Sequence, residues 1–368
     1  MRDKRNIAIL GSRGIPARYG GYETVVEELS TRLVKKGIDV TVFCPKNKDY
    51  KSRVYNGVKL VFLPNLEKRF GVVGTLFYDF ISILMCTFSK FNAIYMLGYS
   101  SALFCIIPSI FGKKIFINTD GLEWKRSKWS RLARRFLRFN EYLATKIADV
   151  LISDSMEIRK YFIGKYGCYP KYISYGTDSF YSKNSKFIDK YNIKKFGYYL
   201  IVARLEPENN IDMIVEGFIN TNSDKKLVII ANIKKTKYFY DLQRLVESDK
   251  RVVFLGPVYD KNILNEIRSN AFAYIHGHSV GGTNPSLLES MACGDIVIAF
   301  DVPFNREVLR DNGYFFKDAS EVKTSVDSLE KIKHAEFDKI RSSNRKTISK
   351  YYNWDKIIEP YFDLFNEI

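Results

Sequence analysis

Four short segments gather charged and polar side chains, two of them rich in glycine. The first runs Gly11-Ser12-Arg13-Gly14-Ile15-Pro16-Ala17-Arg18-Tyr19-Gly20-Gly21-Tyr22-Glu23. Glycines let backbone N–H groups approach a ligand, and a helix opening after them points its positive dipole end outward, so the segment reads as an anion cradle. It is not G-x-G-x-x-G, so a dinucleotide fingerprint is absent. The second runs His276-Gly277-His278-Ser279-Val280-Gly281-Gly282-Thr283-Asn284-Pro285-Ser286-Leu287-Leu288-Glu289. Its Gly282 and Thr283 amides can receive a diphosphate, and Glu289, about two turns into the following helix, can accept hydrogen bonds from a ribose diol. The third, Ala203-Arg204-Leu205-Glu206-Pro207-Glu208-Asn209-Asn210, sets the fixed charge of Arg204 at a strand end. The fourth, Asp120-Gly121-Leu122-Glu123-Trp124-Lys125-Arg126-Ser127-Lys128-Trp129, offers two carboxylates beside a basic, Trp-flanked run. Asp120 and Glu123 read as catalytic or substrate-binding groups, with a helix N-cap the plain alternative for Asp120.

Each segment follows an apolar run of strand length. Ile7–Leu10 ends in Gly11, a helical spacing of Tyr22, Val25, Val26, Leu29 and Leu33 stops at Gly37, and Ile38–Cys44 alternates like a strand. That is a βαβ unit. Strands are expected at Val58–Leu63, Ala93–Leu97, Ile115–Asn118 and Val150–Ser153, with a helix over about Lys128–Ile147. The pattern restarts with strands at Tyr198–Ala203, Lys226–Ala231, Val252–Leu255, Ala271–Ile275 and Ile296–Phe300, and a helix around Ile211–Ile219. The expected architecture is α/β: two doubly wound, Rossmann-like domains facing a cleft, joined in the polar stretch Asp178–Lys195. Residues 1–180 form the first domain, 181–350 the second, and 351–368 a helix returning to the first. Ligands of such sheets sit at the carboxyl ends of the strands, where the four segments fall.

The chain has 368 residues and a net charge of +17, which implies an anionic partner: nucleic acid, phosphorylated small molecules or an anionic membrane face. No helix-turn-helix, zinc-finger or RNP signature accompanies the charge, which argues against nucleic acid. Five scattered cysteines without a C-x-x-C read as reduced cytosolic thiols, not a disulfide framework or zinc site. His276 and His278 have no third ligand in suitable spacing, so no metal site is expected. The N-terminal apolar stretch is too short for a signal peptide. Phe91–Phe111 lacks charges over a membrane-spanning length, yet Asn92, Gly98, Ser100, Ser101 and Pro108 favour a buried strand, a turn and a short helix. From Lys113 to Arg138, nine basic residues (Lys113, Lys114, Lys125, Arg126, Lys128, Arg131, Arg134, Arg135, Arg138) stand against two acidic ones, Asp120 and Glu123. Arg131, Arg134, Arg135 and Arg138 share one helical face; Trp129, Leu132, Ala133, Phe136 and Leu137 share another. With Trp124 and Trp129 at one end, this suits an anionic membrane surface or an acceptor carried on it.

The Gly-Gly-x-Glu turn after the first strand, Arg-Leu-x-Pro-Glu after the first strand of the second half, and Pro285–Gly294 (Pro-Ser-Leu-Leu-Glu-Ser-Met-Ala-Cys-Gly) resemble the retaining GT-B glycosyltransferases of family 4. The segments at Gly11–Thr24, Asp120–Trp129 and His276–Ser286 are similar to the bacterial rhamnosyltransferase branch. The matches run from Ile7 to about Glu307. The resemblance implies that Arg204 grips the donor diphosphate and Glu289, second Glu of an E-x7-E motif, holds the ribose. Donor contacts then fall at Gly14, Gly20, Gly21, Arg204, Gly282, Thr283, Asn284 and Glu289. The first Glu of the motif falls at Gly281, the Lys that accompanies the Arg falls at Asn209, and Asp120 stands where many members of the wider family carry a histidine. The narrower branch reads Glu-Asn-Asn and Gly-Gly-Thr-Asn-Pro-Ser at these places.

The activity this implies is transfer, with retention, of a sugar from a nucleotide sugar, dTDP-L-rhamnose in this branch, to a lipid-diphosphate-linked saccharide in cell-surface polysaccharide assembly. Arg204 and the Gly282 and Thr283 amides would stabilise the leaving phosphate, and Asp120 or Glu123 would orient the acceptor or stabilise the sugar cation. No D-x-D occurs, so no bridging metal or other cofactor is expected. The enzyme would sit in the cytoplasm, peripherally on the inner face of the membrane. A GT-B nucleotide-sugar epimerase is the alternative enzyme, and a basic nucleic-acid-binding protein the alternative of another class.

Overall fold

The computed structural model describes residues 5–17, 20–46, 50–180, 186–233, 236–247 and 249–368. Arg18 and Tyr19 of the first glycine-rich loop lie outside the described residues. The chain divides into two units: the described residues up to Tyr175 together with Asp355–Ile368, and Gly176–Trp354.

The first unit runs β1 (Asn6–Leu10), α1 (Gly21–Lys35), β2 (Asp39–Pro45), β3 (Val54–Tyr55), β4 (Val58–Leu63), α2 (Glu67–Phe70), α3 (Val72–Thr87), β5 (Ala93–Leu97), α4 (Ile106–Ile110), β6 (Lys114–Asn118), α5 (Arg131–Ile147), β7 (Val150–Ser153), α6 (Met156–Tyr166) and β8 (Lys171–Tyr172). Its sheet has the order β3-β4-β2-β1-β5-β6-β7-β8, with every pair parallel except β3–β4. Strands buried on both faces read as continuous apolar runs, and Ile7–Leu10 and Ala93–Leu97 are buried along their whole length.

The second unit runs α7 (Lys186–Lys190), β9 (Tyr198–Val202), α8 (Ile211–Ile219), β10 (Lys226–Ile230), α9 (Lys237–Val246), β11 (Val252–Phe254), α10 (Lys261–Ser269), β12 (Ala273–His276), α11 (Pro285–Cys293), β13 (Ile296–Phe300), α12 (Pro303–Leu309), β14 (Gly313–Phe316), α13 (Ala319–Leu329) and α14 (His334–Thr347). Its sheet is wholly parallel, β11-β10-β9-β12-β13-β14. A last helix, α15 (Trp354–Asn366), packs Tyr361 and Phe365 against Tyr95, and Phe365 against Phe116, in the first unit's sheet.

In each sheet the strand order reverses once, between β1 and β5 and between β9 and β12. There the loops leaving neighbouring strands turn to opposite faces and open a crevice. Residues 91–111 hold β5, a turn, a 3₁₀ segment at Ala102–Cys105 and α4. No helix among the described residues is long and apolar enough to cross a membrane. All five cysteines are free thiols.

Candidate functional site

In the second unit the loops after β9 and β12 lie side by side and are stitched together. Ser279 donates to the Glu208 carbonyl from its N–H and its Oγ, both at 2.9 Å. Asn210 Nδ2 donates to the Gly277 carbonyl at 2.7 Å, and the Asn209 amide bridges the Arg204 carbonyl (2.8 Å) and His278 Nδ1 (2.9 Å). The approach is so close that a Cβ on Gly277 would lie 2.0 Å from the Asn209 carbonyl oxygen, so only glycine fits. Asn305, on α12, holds the His278 carbonyl from the far side at 3.0 Å.

From this frame Gly281-Gly282-Thr283 leads into α11, with Asn284 as N-cap, its Oδ1 accepting from Ser286 N at 2.9 Å, and Pro285 in the first turn. Asn284, expected as a donor contact, therefore spends its side chain on the helix. Arg204 is half-buried, and among the described residues its guanidinium forms no hydrogen bond or ion pair, leaving a fixed positive charge beside the stitched loops. Glu289 is 24% exposed and pairs at 2.6 Å with Arg268, which is only 2% exposed. The pair occupies one carboxylate oxygen and leaves the other for a ligand. Arg268 escaped the sequence reading, although it falls one turn after Leu264 on the inward side of α10, where an arginine needs a buried partner. His276, at the end of β12, is fully enclosed. Burial pushes its pKa down to about 3, so its ring stays neutral and belongs to the core.

In the first unit the strand ends gather carboxylates and phenols. Asp120 follows β6 with a left-handed φ of +50°, its N–H held at 2.8 Å by Asn118 Oδ1. Asn118 Nδ2 donates to Tyr95 Oη at 3.2 Å, and the Tyr175 hydroxyl approaches Asn118 Oδ1 at 3.4 Å. Burial, then the neighbouring Asp120 charge, then Tyr175, raise the Tyr22 pKa; burial, then Asp154, then Asp120, raise that of Tyr175. Asp154, 1% exposed after β7, belongs to this group, and its place after the run Val150–Ser153 was the available signal.

Three expectations need correction. Glu123 is not poised for chemistry. Arg126 Nε (2.5 Å), Lys128 Nζ (3.2 Å) and Trp129 Nε1 (3.1 Å) all bind its carboxylate, which explains why one acid sits among so many bases. The loop after β1 is held by carboxylates of α1: Glu23 accepts from Arg13 N at 2.9 Å and Glu27 from Ala17 N at 2.6 Å. Gly14 turns inward, where a Cβ would meet Cys44 Sγ at 2.5 Å, while Gly20 caps α1 and Gly21 begins it.

On α5 the apolar face is not where the sequence suggested. The helix buries Leu137, Asn140, Glu141 and Ala144. Asn140 accepts from Leu103 N, and Glu141 accepts from Trp124 Nε1 and Tyr161 Oη, each at 2.8 Å. These polar anchors turn Leu132 outward, 76% exposed, beside exposed Arg131, Arg135, Arg138, Phe139 and Tyr142. Arg134 is half-buried, and Arg138 lies over the Trp124 ring at 4.1 Å. Lys125 is exposed beside it.

Residues 183–352 match the family Glycosyl transferases group 1, and residues 4–178 match Domain of unknown function (DUF1972). The second unit is a group 1 glycosyl transferase domain. Across 95% of both chains, this glycosyltransferase is 24% identical to an uncharacterized glycosyltransferase of Methanocaldococcus jannaschii. Its fold matches GT-B structures: sucrose-phosphate synthase from Thermosynechococcus elongatus (TM-score 0.81, 16% identity, 99% of each chain) and Anabaena HepE in complex with UDP and glucose (TM-score 0.80, 15% identity, 99% of this chain and 100% of that one). The two Rossmann-like α/β domains of the glycosyltransferase are those expected from the sequence.

Proposed function

We propose that this glycosyltransferase moves a sugar, L-rhamnose by the resemblance of its motifs, from a nucleoside-diphosphate donor to a lipid-diphosphate-linked saccharide, with retention, in cell-surface polysaccharide assembly at an anionic membrane face. The observation that carries the donor half is the stitched pair of loops at the β9/β12 crevice. It combines an unpaired Arg204, a glycine turn entering a nine-residue helix, and a Glu289 oxygen left over from Arg268. These are the contacts an anionic diphosphate and a ribose diol need. The UDP and glucose held by HepE support a nucleotide-sugar donor.

When the sugar–oxygen bond breaks, positive charge grows at the anomeric carbon and negative charge on the leaving phosphate. Arg204 and the Gly282 and Thr283 amides meet the second charge. The departing phosphate oxygen takes the proton of the acceptor hydroxyl, which attacks from the same face. Asp120, with Asp154 and Tyr22 around it, receives the acceptor sugar. The outward face of α5, with Arg131, Arg135 and Arg138 interleaved with Leu132, Phe139 and Tyr142, meets anionic lipid on the cytoplasmic side.

The test is a screen of nucleotide sugars for protection against thermal unfolding, because a ligand that binds only the native state raises Tm by mass action. Stabilisation by dTDP-L-rhamnose above other donors is expected. Absence of stabilisation by every nucleoside-diphosphate sugar refutes the donor site.

A further inference from the structure

Asp120 stands in a backbone conformation that residues with a side chain rarely adopt, with φ at +50°. Relaxation to the ordinary helical region would turn φ by roughly 110° and redirect Cβ, so the carboxylate would leave its place beside Tyr22. What holds the backbone is Asn118, two residues earlier at the end of β6, whose Oδ1 accepts the Asp120 N–H at 2.8 Å. Asn118 is fully buried, and both ends of its amide are engaged. Oδ1 also faces the Tyr175 hydroxyl at 3.4 Å, and Nδ2 donates to Tyr95 Oη at 3.2 Å. A flipped amide would set donor against donor at Asp120, so the partners fix its orientation. Tyr95 is held in turn. In the register of β5 and β6, Tyr95 lies opposite Phe116 and Leu97 opposite Asn118, so Tyr95, Phe116 and Asn118 share one face of the sheet. Helix α15 covers that face: Tyr361 Oη lies 3.3 Å from Tyr95 Oη, and Phe365 meets the rings of Tyr95 and Phe116 edge-on. Burial pushes the Tyr95 pKa up to about 12, so the hydroxyl keeps its proton.

We infer that Asn118 is a positioning residue of the acceptor site: it holds Asp120 in the left-handed conformation that aims the carboxylate, and Tyr95, packed under α15, keeps the Asn118 amide turned for that task. The inference rests on the reading of Asp120 as an acceptor-binding group. Asn118 touches no substrate and acts through Asp120. Helix α15, the last element of the chain, thereby supports the acceptor site as well as covering the sheet. A carboxylate displaced by the loss of Asn118 would hold an acceptor hydroxyl less well, which raises the acceptor KM. The donor loops after β9 and β12 share no hydrogen bond with this group, so donor affinity is left alone. A turn that merely ended β6 would cost stability when broken, with no selective loss toward the acceptor.

The experiment measures transfer by the full chain, from the nucleotide sugar that most raises its Tm, to a panel of farnesyl-diphosphate-linked monosaccharides. Donor Kd is read separately by calorimetry and folding by melting curves. N118L keeps the bulk of the side chain and loses the acceptor of the Asp120 N–H; its acceptor KM should rise about ten-fold with donor Kd unchanged. Y95F keeps the ring that packs against α15 and loses the oxygen that receives Asn118 Nδ2; it should show a smaller rise of the same kind in a folded protein. N118D, whose carboxylate can accept both the Asp120 N–H and the Tyr95 proton, should lie nearer wild type than N118L, a rescue that a merely structural residue would not give. An acceptor KM unchanged in N118L and Y95F overturns the proposal, as does a loss in donor affinity equal to that for the acceptor, or an N118D no better than N118L. If N118L does not fold, Y95F decides alone. A wild type that transfers to no member of the panel, or a D120G that transfers as wild type does, overturns the acceptor reading itself, and the role of Asn118 with it.

Discussion

Glu289→Ala removes two things at once, and the structure separates them. The carboxylate holds Arg268 at 2.6 Å, and Arg268 is 2% exposed. Deleting one member of a buried ion pair leaves the other uncompensated, at a cost of about 3–5 kcal/mol. For a domain of this size that lowers Tm by roughly 6–20 °C. The same carboxylate is assigned to a ribose diol, and losing a hydrogen bond to a charged group costs about 1.5–3 kcal/mol, which is roughly a 10- to 150-fold drop in donor affinity. E289A should therefore show both a low melting temperature and weak donor binding. R268M/E289A, which replaces the pair with apolar volume, should regain most of the stability and none of the affinity. E289Q should sit between wild type and E289A in both. Melting curves with and without donor, and calorimetric titration of the donor, measure the two effects independently. If R268M/E289A binds donor as wild type does, the ribose assignment is wrong; if E289A melts where wild type melts, the pair is not the buried anchor described.

Arg204→Ala should reduce kcat more than donor affinity, because phosphate charge grows on the way to the transition state; equal loss in kcat and binding would make Arg204 a ground-state contact only. On α5, Arg131→Glu with Arg135→Glu and Leu132→Asn should abolish partitioning onto anionic vesicles, since each basic residue near the surface contributes about 1 kcal/mol. Transfer to a soluble acceptor mimic should persist, and retained vesicle binding would exclude this face. Stability should fall as pH drops from about 6.5 toward 3, because His276 stays neutral in the native state while unfolded chains take up its proton. Up to roughly 5 kcal/mol is at stake, and His276→Leu should flatten that slope in denaturant titrations. Asp295, pushed up to about 7 by burial, gives the opposite slope: native chains hold its proton, so stability falls as pH rises from about 4 to 7, and Asp295→Asn should remove that loss.

Fold and site were legible to different degrees, for physical reasons. Ile7–Leu10, Ala93–Leu97 and Ile296–Phe300 announce themselves because a strand buried on both faces must be apolar throughout and must stop at a turn. The strands β3 and β8, two residues each, are too short to show any period. Helix α3 was not anticipated: Val72, Val73, Phe77 and Met85 stay exposed, so apolar residues surround the helix and no polar face marks its turn. Arg204 and Glu289 could be found because a loop at a strand end and the helix that follows such a loop are local features. For Arg268 and Asp154 the local pattern marks only a position, inward on α10 and after β7, while the partners that define their surroundings, Glu289 for one and Tyr22 and Tyr175 for the other, lie elsewhere in the chain. Glu123 misled for a different reason: its spacing from Asp120 suggested a pair of acids, while its near neighbours Arg126, Lys128 and Trp129 hold its carboxylate.

The two units present opposite chemistry from similar sheets. At the strand ends of the second, the proposed phosphate contacts are hydrogen-bond donors and a cation, Arg204 and the amides leading into α11, with the Glu289 carboxylate paired to Arg268 further along that helix. The loops are locked by Asn209, Asn210 and Ser279, so little ordering remains when an anion arrives. At the strand ends of the first, the groups are acceptors and phenols: Asp120, Asp154, Tyr22 and Tyr175, tied through Asn118 to the core of the sheet. There, the Arg13 and Ala17 amides of the loop after β1 are answered by Glu23 and Glu27. An anion would be repelled by this second set, whereas sugar hydroxyls need just such acceptors. A transferase must hold a charged leaving group and a neutral polyhydroxyl nucleophile without confusing them. On the proposed reading, a fixed cation and amides for the phosphate on one sheet, and Asp120 with Asp154 for hydroxyls on the other, would begin that sorting by electrostatics, before any shape is matched.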